Sequence, residues 1–300
     1  MKNSSKISNG VKKFLIPTTF TKHLAKKILK KGGDFKILFP GLNRDGERYF
    51  PDGEVYIKIL GANKLKNERV IVLHSGAPKP NEGLTELELI LQILRDNNIK
   101  PEVFFAYFPY GIQDKVFEKG ETNAAENLIE KLVNYYKVKK IYVIDPHFGG
   151  RKWAKKYPII NISAVPLLIE KAKEDFSENI LFLSPDLGGK RRTKISAGMK
   201  KKRLNSYQVK VAARNINFKG KIIGVIDDFI KTGGTLLKFA EIAKNSGAKK
   251  VVALITHGLI PSGISKVKEK YSKLYLTNTI DRKESNIDIT DLILRAVSKS

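Results

Sequence analysis

An α/β protein built on mainly parallel sheets flanked by helices is the fold class the sequence predicts, and three observations carry it. Short β-branched runs alternate with segments of helical period along the chain. Strand–helix–strand order throughout argues for parallel sheets covered on both faces. A second series of strands and helices begins near residues 157–165, and 300 residues suit about two domains. The expected units are 13–160 and 161–300.

Taken in order, a helix is expected over Thr21–Lys31, then strands over Phe35–Phe39, Glu54–Leu60 and Val70–His74. The helix Leu84–Asn97 has the clearest period, with Leu87, Ile90, Leu91 and Leu94 at i, i+3, i+4 and i+7 defining one apolar face. Strand Glu102–Tyr107, helix Ala124–Tyr136 and strands Lys140–Asp145 and Ile159–Ile162 complete the first unit. The second holds helix Pro166–Glu174, strands Ile180–Ser184 and Lys221–Ile226, and helix Thr235–Ser246. Strand Val251–Thr256, helix Ser265–Glu269, strand Lys273–Thr277 and a last helix near Thr290–Val297 follow.

Composition narrows the function. The absence of cysteine excludes disulfides, iron–sulfur ligation and thiol catalysis, and fits a cytoplasmic setting. No apolar run reaches the ~20 residues of a membrane helix, so no membrane partner is expected. The net charge of +26 invites a nucleic-acid reading, but it comes from 45 Lys and only 11 Arg spread over most helices. A lysine-biased surface accounts for most of it. The exception is 190–203, KRRTKISAGMKKKR, with eight basic side chains and no acid.

The sharpest motif is IIGVIDDFIKTGGTLLKFAEIA, residues 222–243. An apolar strand is expected to end in Asp227 and Asp228, with both acids facing one crevice. The loop Lys231-Thr232-Gly233-Gly234-Thr235 then opens into a helix. Two glycines let successive N–H groups converge, and the helix N-terminus adds partial positive charge, so the loop suits a phosphate. The acids suit sugar hydroxyls or Mg²⁺.

This string resembles the phosphoribosyl-pyrophosphate-binding motif of type I phosphoribosyltransferases, and six further segments narrow the likeness to the ribose-phosphate pyrophosphokinases. RYFPDGEVYIKI (48–59) is similar to that family's Phe-x-Asp-Gly-Glu segment, and FAYFPYGIQDK (105–115) to its Gln-Asp segment. VIDPH (143–147), LSPDLGG (183–189), ITHGL (255–259) and LTNTI (276–280) follow in family order. The resemblance implies two phosphoribosyltransferase-like domains, an N-terminal ATP-site domain (13–160) and a C-terminal phosphoribosyl-binding domain (161–300). It implies ATP binding by Phe50, Asp52, Gly53, Glu54, Gln113 and Asp114. Ribose 5-phosphate would lie on Asp227, Asp228, Lys231, Thr232, Gly233, Gly234 and Thr235, with Mg²⁺ on His147 and Asp186. Lys201 and Arg203, on the basic run, match the family's catalytic pair. The family also implies a homo-oligomer, a dimer or a hexamer.

Departures are specific. Ile112 stands where the family has Arg, Lys231 where many members have an acid, and Pro146 where Leu is usual. A synthetase-like regulatory protein without catalysis, and a phosphoribosyltransferase consuming the same product, are the alternatives; nucleic-acid binding is more distant. The charge excess also makes a prediction. Steering of anionic substrates should raise their KM between low and high ionic strength, measured by initial rates. An unchanged KM would leave the excess without kinetic consequence.

Overall fold

The structure, a computed structural model, describes residues 11–32, 34–176, 180–185 and 217–298. Among the described residues the strands form two sheets. The first has the order β2 (Lys36–Ile37), β1 (Lys13–Pro17), β3 (Arg69–Ser75), β4 (Glu102–Tyr107), β5 (Lys140–Ile144) and β6 (Ile159–Ile162). The second has the order β10 (Lys273–Leu276), β9 (Lys250–Gly258), β8 (Ile222–Ile230) and β7 (Ile180–Leu183). Every neighbouring pair is parallel.

Both sheets are covered on both faces, as parallel sheets require. In β3, Val70 and Val72 pack on one side with α2 (Pro80–Asp96) and α3 (Ala124–Asn134). Ile71 and Leu73 pack on the other with α1 (Lys22–Lys31). That second layer also contains Ile293 and Val297 of α7 (Thr290–Ser298), so the last helix of the chain lies over the first sheet. The second sheet is covered by α5 (Gly234–Asn245) and α6 (Pro261–Lys270) on one face and α4 (Val165–Phe176) on the other. No helix among the described residues is long and apolar enough to cross a membrane.

The structure departs from the sequence reading in five respects. Lys13–Pro17, where the sequence reading places no element, is a strand beside β3. Glu54–Leu60 is not a strand: its pairing is reduced to isolated antiparallel bridges, Tyr49 with Val55 and Gly41 with Lys58. Phe35–Phe39 contracts to the two residues of edge strand β2. Strand β8 runs four residues beyond Ile226, so Asp227 and Asp228 lie inside it. Helices α2 and α6 begin earlier than expected, each with proline in its first turn, where the missing N–H costs nothing.

The C-terminal helix is tied down by charge. Arg69, at the start of β3, donates from Nε and Nη2 to Glu102 at 3.0 and 2.8 Å and from Nη1 to the Val297 carbonyl at 2.6 Å. Burial works against the Glu102 carboxylate, but the Arg69 hydrogen bonds and charge, with the Tyr142 hydroxyl, outweigh it and hold the carboxyl below the usual glutamate range. A depressed folded pKa gives stability that is complete above the unfolded value of about 4.3 and is lost as pH falls through the folded value. Glu102→Gln should therefore destabilise more at pH 7 than at pH 3 in paired thermal unfolding. Arg69→Met, which leaves the buried carboxylate only Lys139 at 3.5 Å and the Tyr142 hydroxyl at 3.0 Å, should cost up to about 3 kcal/mol at pH 7; equal losses at both pH values for Glu102→Gln would remove the ionic contribution.

Candidate active site

The carboxyl ends of parallel strands lie on one side of a sheet, and here those of β5, β8 and β9 meet at the seam between the two sheets. Asp145, just past β5, is buried; its Oδ2 accepts from the Ala164 amide and the Thr256 hydroxyl, both at 2.9 Å. Burial pushes this carboxyl up to about 6, against the hydrogen bonds it accepts. His257, the next residue on β9, is also buried, and burial pushes its imidazole down to about 4. Its Nε2 lies 3.2 Å from the Ile144 carbonyl, which can only accept, so Nε2 carries the proton; Nδ1 then accepts from the Thr279 hydroxyl at 2.9 Å. The Tyr107 ring packs edge-on against His257, 5.0 Å between centroids. Burial, helped by the Asp228 charge, pushes the Tyr107 phenol up to about 12.

His147, predicted as a metal ligand, and Asp228, predicted as a ribose ligand, are brought together across this seam. His147 Nδ1 lies 2.8 Å from Asp228 Oδ2. The carboxylate accepts from Nδ1–H, which in the neutral ring leaves the Nε2 lone pair available to a ligand, an arrangement of the kind that orients metal-binding imidazoles. The two adjacent acids do not share one environment. Asp228 acts on His147 and Tyr107, whereas Asp227 adds to the burial that raises the Tyr271 phenol within the second unit. The strand continues through both residues, and the Asp228 amide donates to Asp227 Oδ1 at 3.0 Å.

Past β8, Lys231, Thr232, Gly234 and Thr235 are exposed and Gly233 is buried. Gly233 has φ +79°, a left-handed conformation that caps α5 and that a side chain would strain. Helix α6 presses on the same loop: a Cβ on Gly263 would lie 1.8 Å from the Lys231 carbonyl oxygen. Phe229 bridges the parts, its ring 5.5 Å from that of His147 and 6.0 Å from Lys231 Nζ.

The residues predicted to hold ATP fall on two segments. Phe50, Asp52, Gly53 and Glu54 form an exposed turn closed by Phe50 N–H to the Glu54 carbonyl at 2.8 Å and Gly53 N–H to the Phe50 carbonyl at 2.9 Å. Gln113 is exposed, while Asp114 is buried and takes Arg151 in a two-pronged pair at 2.7 Å through each oxygen. The segments converge on the first turn of α2: Lys79 Nζ lies 5.9 Å from the Tyr49 ring, and the Tyr110 hydroxyl bonds Asn81. Asp186, Lys201 and Arg203 lie outside the described residues. No group of three His, Asp or Glu side chains at ligating spacing occurs among the described residues. Mg²⁺ commonly takes only one or two protein ligands beside phosphate and water, so a site of few protein donors is within its ordinary chemistry. Sequence reasoning passed over Arg151 and Arg48, since a lone arginine carries no spacing signal.

Residues 208–298 match the phosphoribosyl synthetase-associated domain family. A ribose-phosphate pyrophosphokinase of Pyrococcus furiosus is 34% identical over 274 residues, covering 87% of this chain and 95% of the relative. That of Thermococcus kodakarensis is 29% identical, covering 91% and 96%. The phosphoribosylpyrophosphate synthetase of Mycobacterium smegmatis superposes with a TM-score of 0.77 over 96% of this chain and 99% of its own, at 21% identity, and so shares the fold. A 34% likeness extending over nearly the whole of a relative is more than one shared motif can produce: this chain belongs to the ribose-phosphate pyrophosphokinase family.

Proposed function

We propose that the protein is a ribose-phosphate diphosphokinase, moving the β,γ-diphosphoryl group of ATP to the C1 hydroxyl of ribose 5-phosphate. The C1 oxygen bonds to the β-phosphorus, the bond from that phosphorus to the α,β-bridging oxygen breaks, AMP leaves and the hydroxyl proton is lost. The observation that carries this reading is the pairing of His147 with Asp228 beside the Lys231–Thr235 loop, which joins a metal-type ligand of one unit to a phosphosugar cradle of the other.

In this reading the loop N–H groups at the start of α5, with Thr232 and Thr235, hold the 5-phosphate. Asp227 and Asp228 accept from the ribose hydroxyls. The 50–54 turn and Gln113 receive the nucleotide, while Asp114 fixes the turn after Gln113 through Arg151. Mg²⁺, with His147 and Asp186 as its protein ligands, would neutralise phosphate charge. Lys201 and Arg203 stabilise the charge that develops on the transferring group, and most of the catalysis is positioning and electrostatics. The functional units are 13–160 and 161–300, and the enzyme works in the cytoplasm as a homo-oligomer, a dimer or hexamer, with ATP and ribose 5-phosphate as its partners.

AMP release from ATP and ribose 5-phosphate with Mg²⁺ tests the activity directly; no release would favour the silent regulatory alternative. Lys201→Ala should lower kcat by about a hundredfold or more while changing ATP affinity little, and turnover at the wild-type rate would remove Lys201 from the mechanism. Gly263→Ala forces the Lys231 carbonyl to move. It should raise the KM for ribose 5-phosphate, costing up to about a hundredfold in kcat/KM, and leave the KM for ATP near its wild-type value. Varying each substrate in turn checks this; parallel changes in both constants would argue for general disruption.

A further inference from the structure

The stretch from Pro40 to Lys58 carries the turn assigned to ATP yet has almost no regular secondary structure. Its two arms meet at only two isolated bridges. A hairpin so sparsely paired needs another source of order. Arg48 occupies that place. Although charged, it is only 6% exposed. Its Nη1 donates to the Gly41 carbonyl at 3.1 Å and to the Tyr56 carbonyl at 2.9 Å, and its Nη2 donates to the Pro40 carbonyl at 2.9 Å. Pro40 and Gly41 belong to the incoming arm and Tyr56 to the outgoing one, so one guanidinium bridges both. The Tyr56 amide returns a bond to the Arg48 carbonyl at 2.8 Å.

The guanidinium is anchored in turn. Its Nε lies 4.0 Å from Oε1 of Glu86, a buried carboxylate on α2. Glu86 accepts from the Thr19 amide at 2.9 and 3.0 Å and from the Thr19 hydroxyl at 3.0 Å, just past the end of β1. A chain of charge and hydrogen bonds therefore runs from the sheet through α2 into the arms, two residues before Phe50.

We propose that Arg48 is a positioning residue for nucleotide binding, holding the Phe50–Glu54 turn in its binding geometry through the carbonyls of both arms. This rests on the assignment of that turn to ATP. A lysine cannot replace it: its donors radiate from one nitrogen, whereas the three carbonyls here are met by two nitrogens of a rigid fork.

The test uses full-length Arg48→Lys, Arg48→Gln and Phe50→Ala proteins. ATP affinity is measured by calorimetry with MgATP alone, the KM for each substrate by initial rates, and backbone mobility of residues 40–58 by amide hydrogen exchange. Both Arg48 variants should weaken ATP binding by about tenfold, the effect of losing roughly one hydrogen bond to a charged group. They should also speed exchange at Tyr56 and leave the KM for ribose 5-phosphate within about twofold. If one variant does not accumulate as folded protein, the other carries the same expectation. Wild-type ATP affinity in the Arg48 variants with weakened binding in Phe50→Ala would overturn the positioning role alone. Wild-type affinity in Phe50→Ala would overturn the assignment of the turn to ATP, and the role of Arg48 with it. Equal weakening toward both substrates would reduce Arg48 to general structural support.

Discussion

The carboxylate of Asp145 stands where the two sheets meet, and the rest of the site is arranged around it. It accepts from Ala164 at the start of the second unit and from Thr256 on β9, so one buried acid holds both units to the end of β5. Its neighbours extend the seam: His257 reaches the Ile144 carbonyl, Ser75 the Thr279 carbonyl, and His23 the Asn278 carbonyl. Hydrogen bonds inside such a seam exchange little energy with water, yet each is costly to leave unmade. The seam therefore fixes the separation of the units, and with it the pairing of His147 with Asp228.

The two halves of the site are ordered by different means. The half proposed to take the phosphosugar is regular secondary structure: a strand, a three-residue loop and a helix, with Gly263 allowing α6 to lie directly against the loop. Its geometry follows from backbone alone. The half proposed to take the nucleotide is irregular and holds two buried charges with ionic partners: Arg48 with Glu86, and Asp114 with Arg151. Removing one member of such a pair leaves the other desolvated and uncompensated, which costs far more than the pair contributes.

How much of this was legible in the sequence follows the range of the signal. Parallel α/β architecture, the helix Leu84–Asn97 and the strand–loop–helix of 222–243 were readable because their cues lie within a few residues: apolar period, glycine pairs, a strand running into a helix. The Glu54–Leu60 run has the β-branched content of a strand but meets its neighbouring arm only at isolated bridges and joins neither sheet, so propensity misled there. Asp114 was legible as a candidate by its place in a motif, but its engagement by Arg151, 37 positions away in sequence, was not.

By itself, the sequence determined the fold class, the family and which residue types gather at the strand ends, because local pattern and motif order suffice for these. Only the tertiary structure decided that His147 and Asp228 bond across the seam and that the last helix covers the first sheet under Arg69. These depend on contacts between residues about 80 to 230 positions apart, which a pattern of neighbours does not encode.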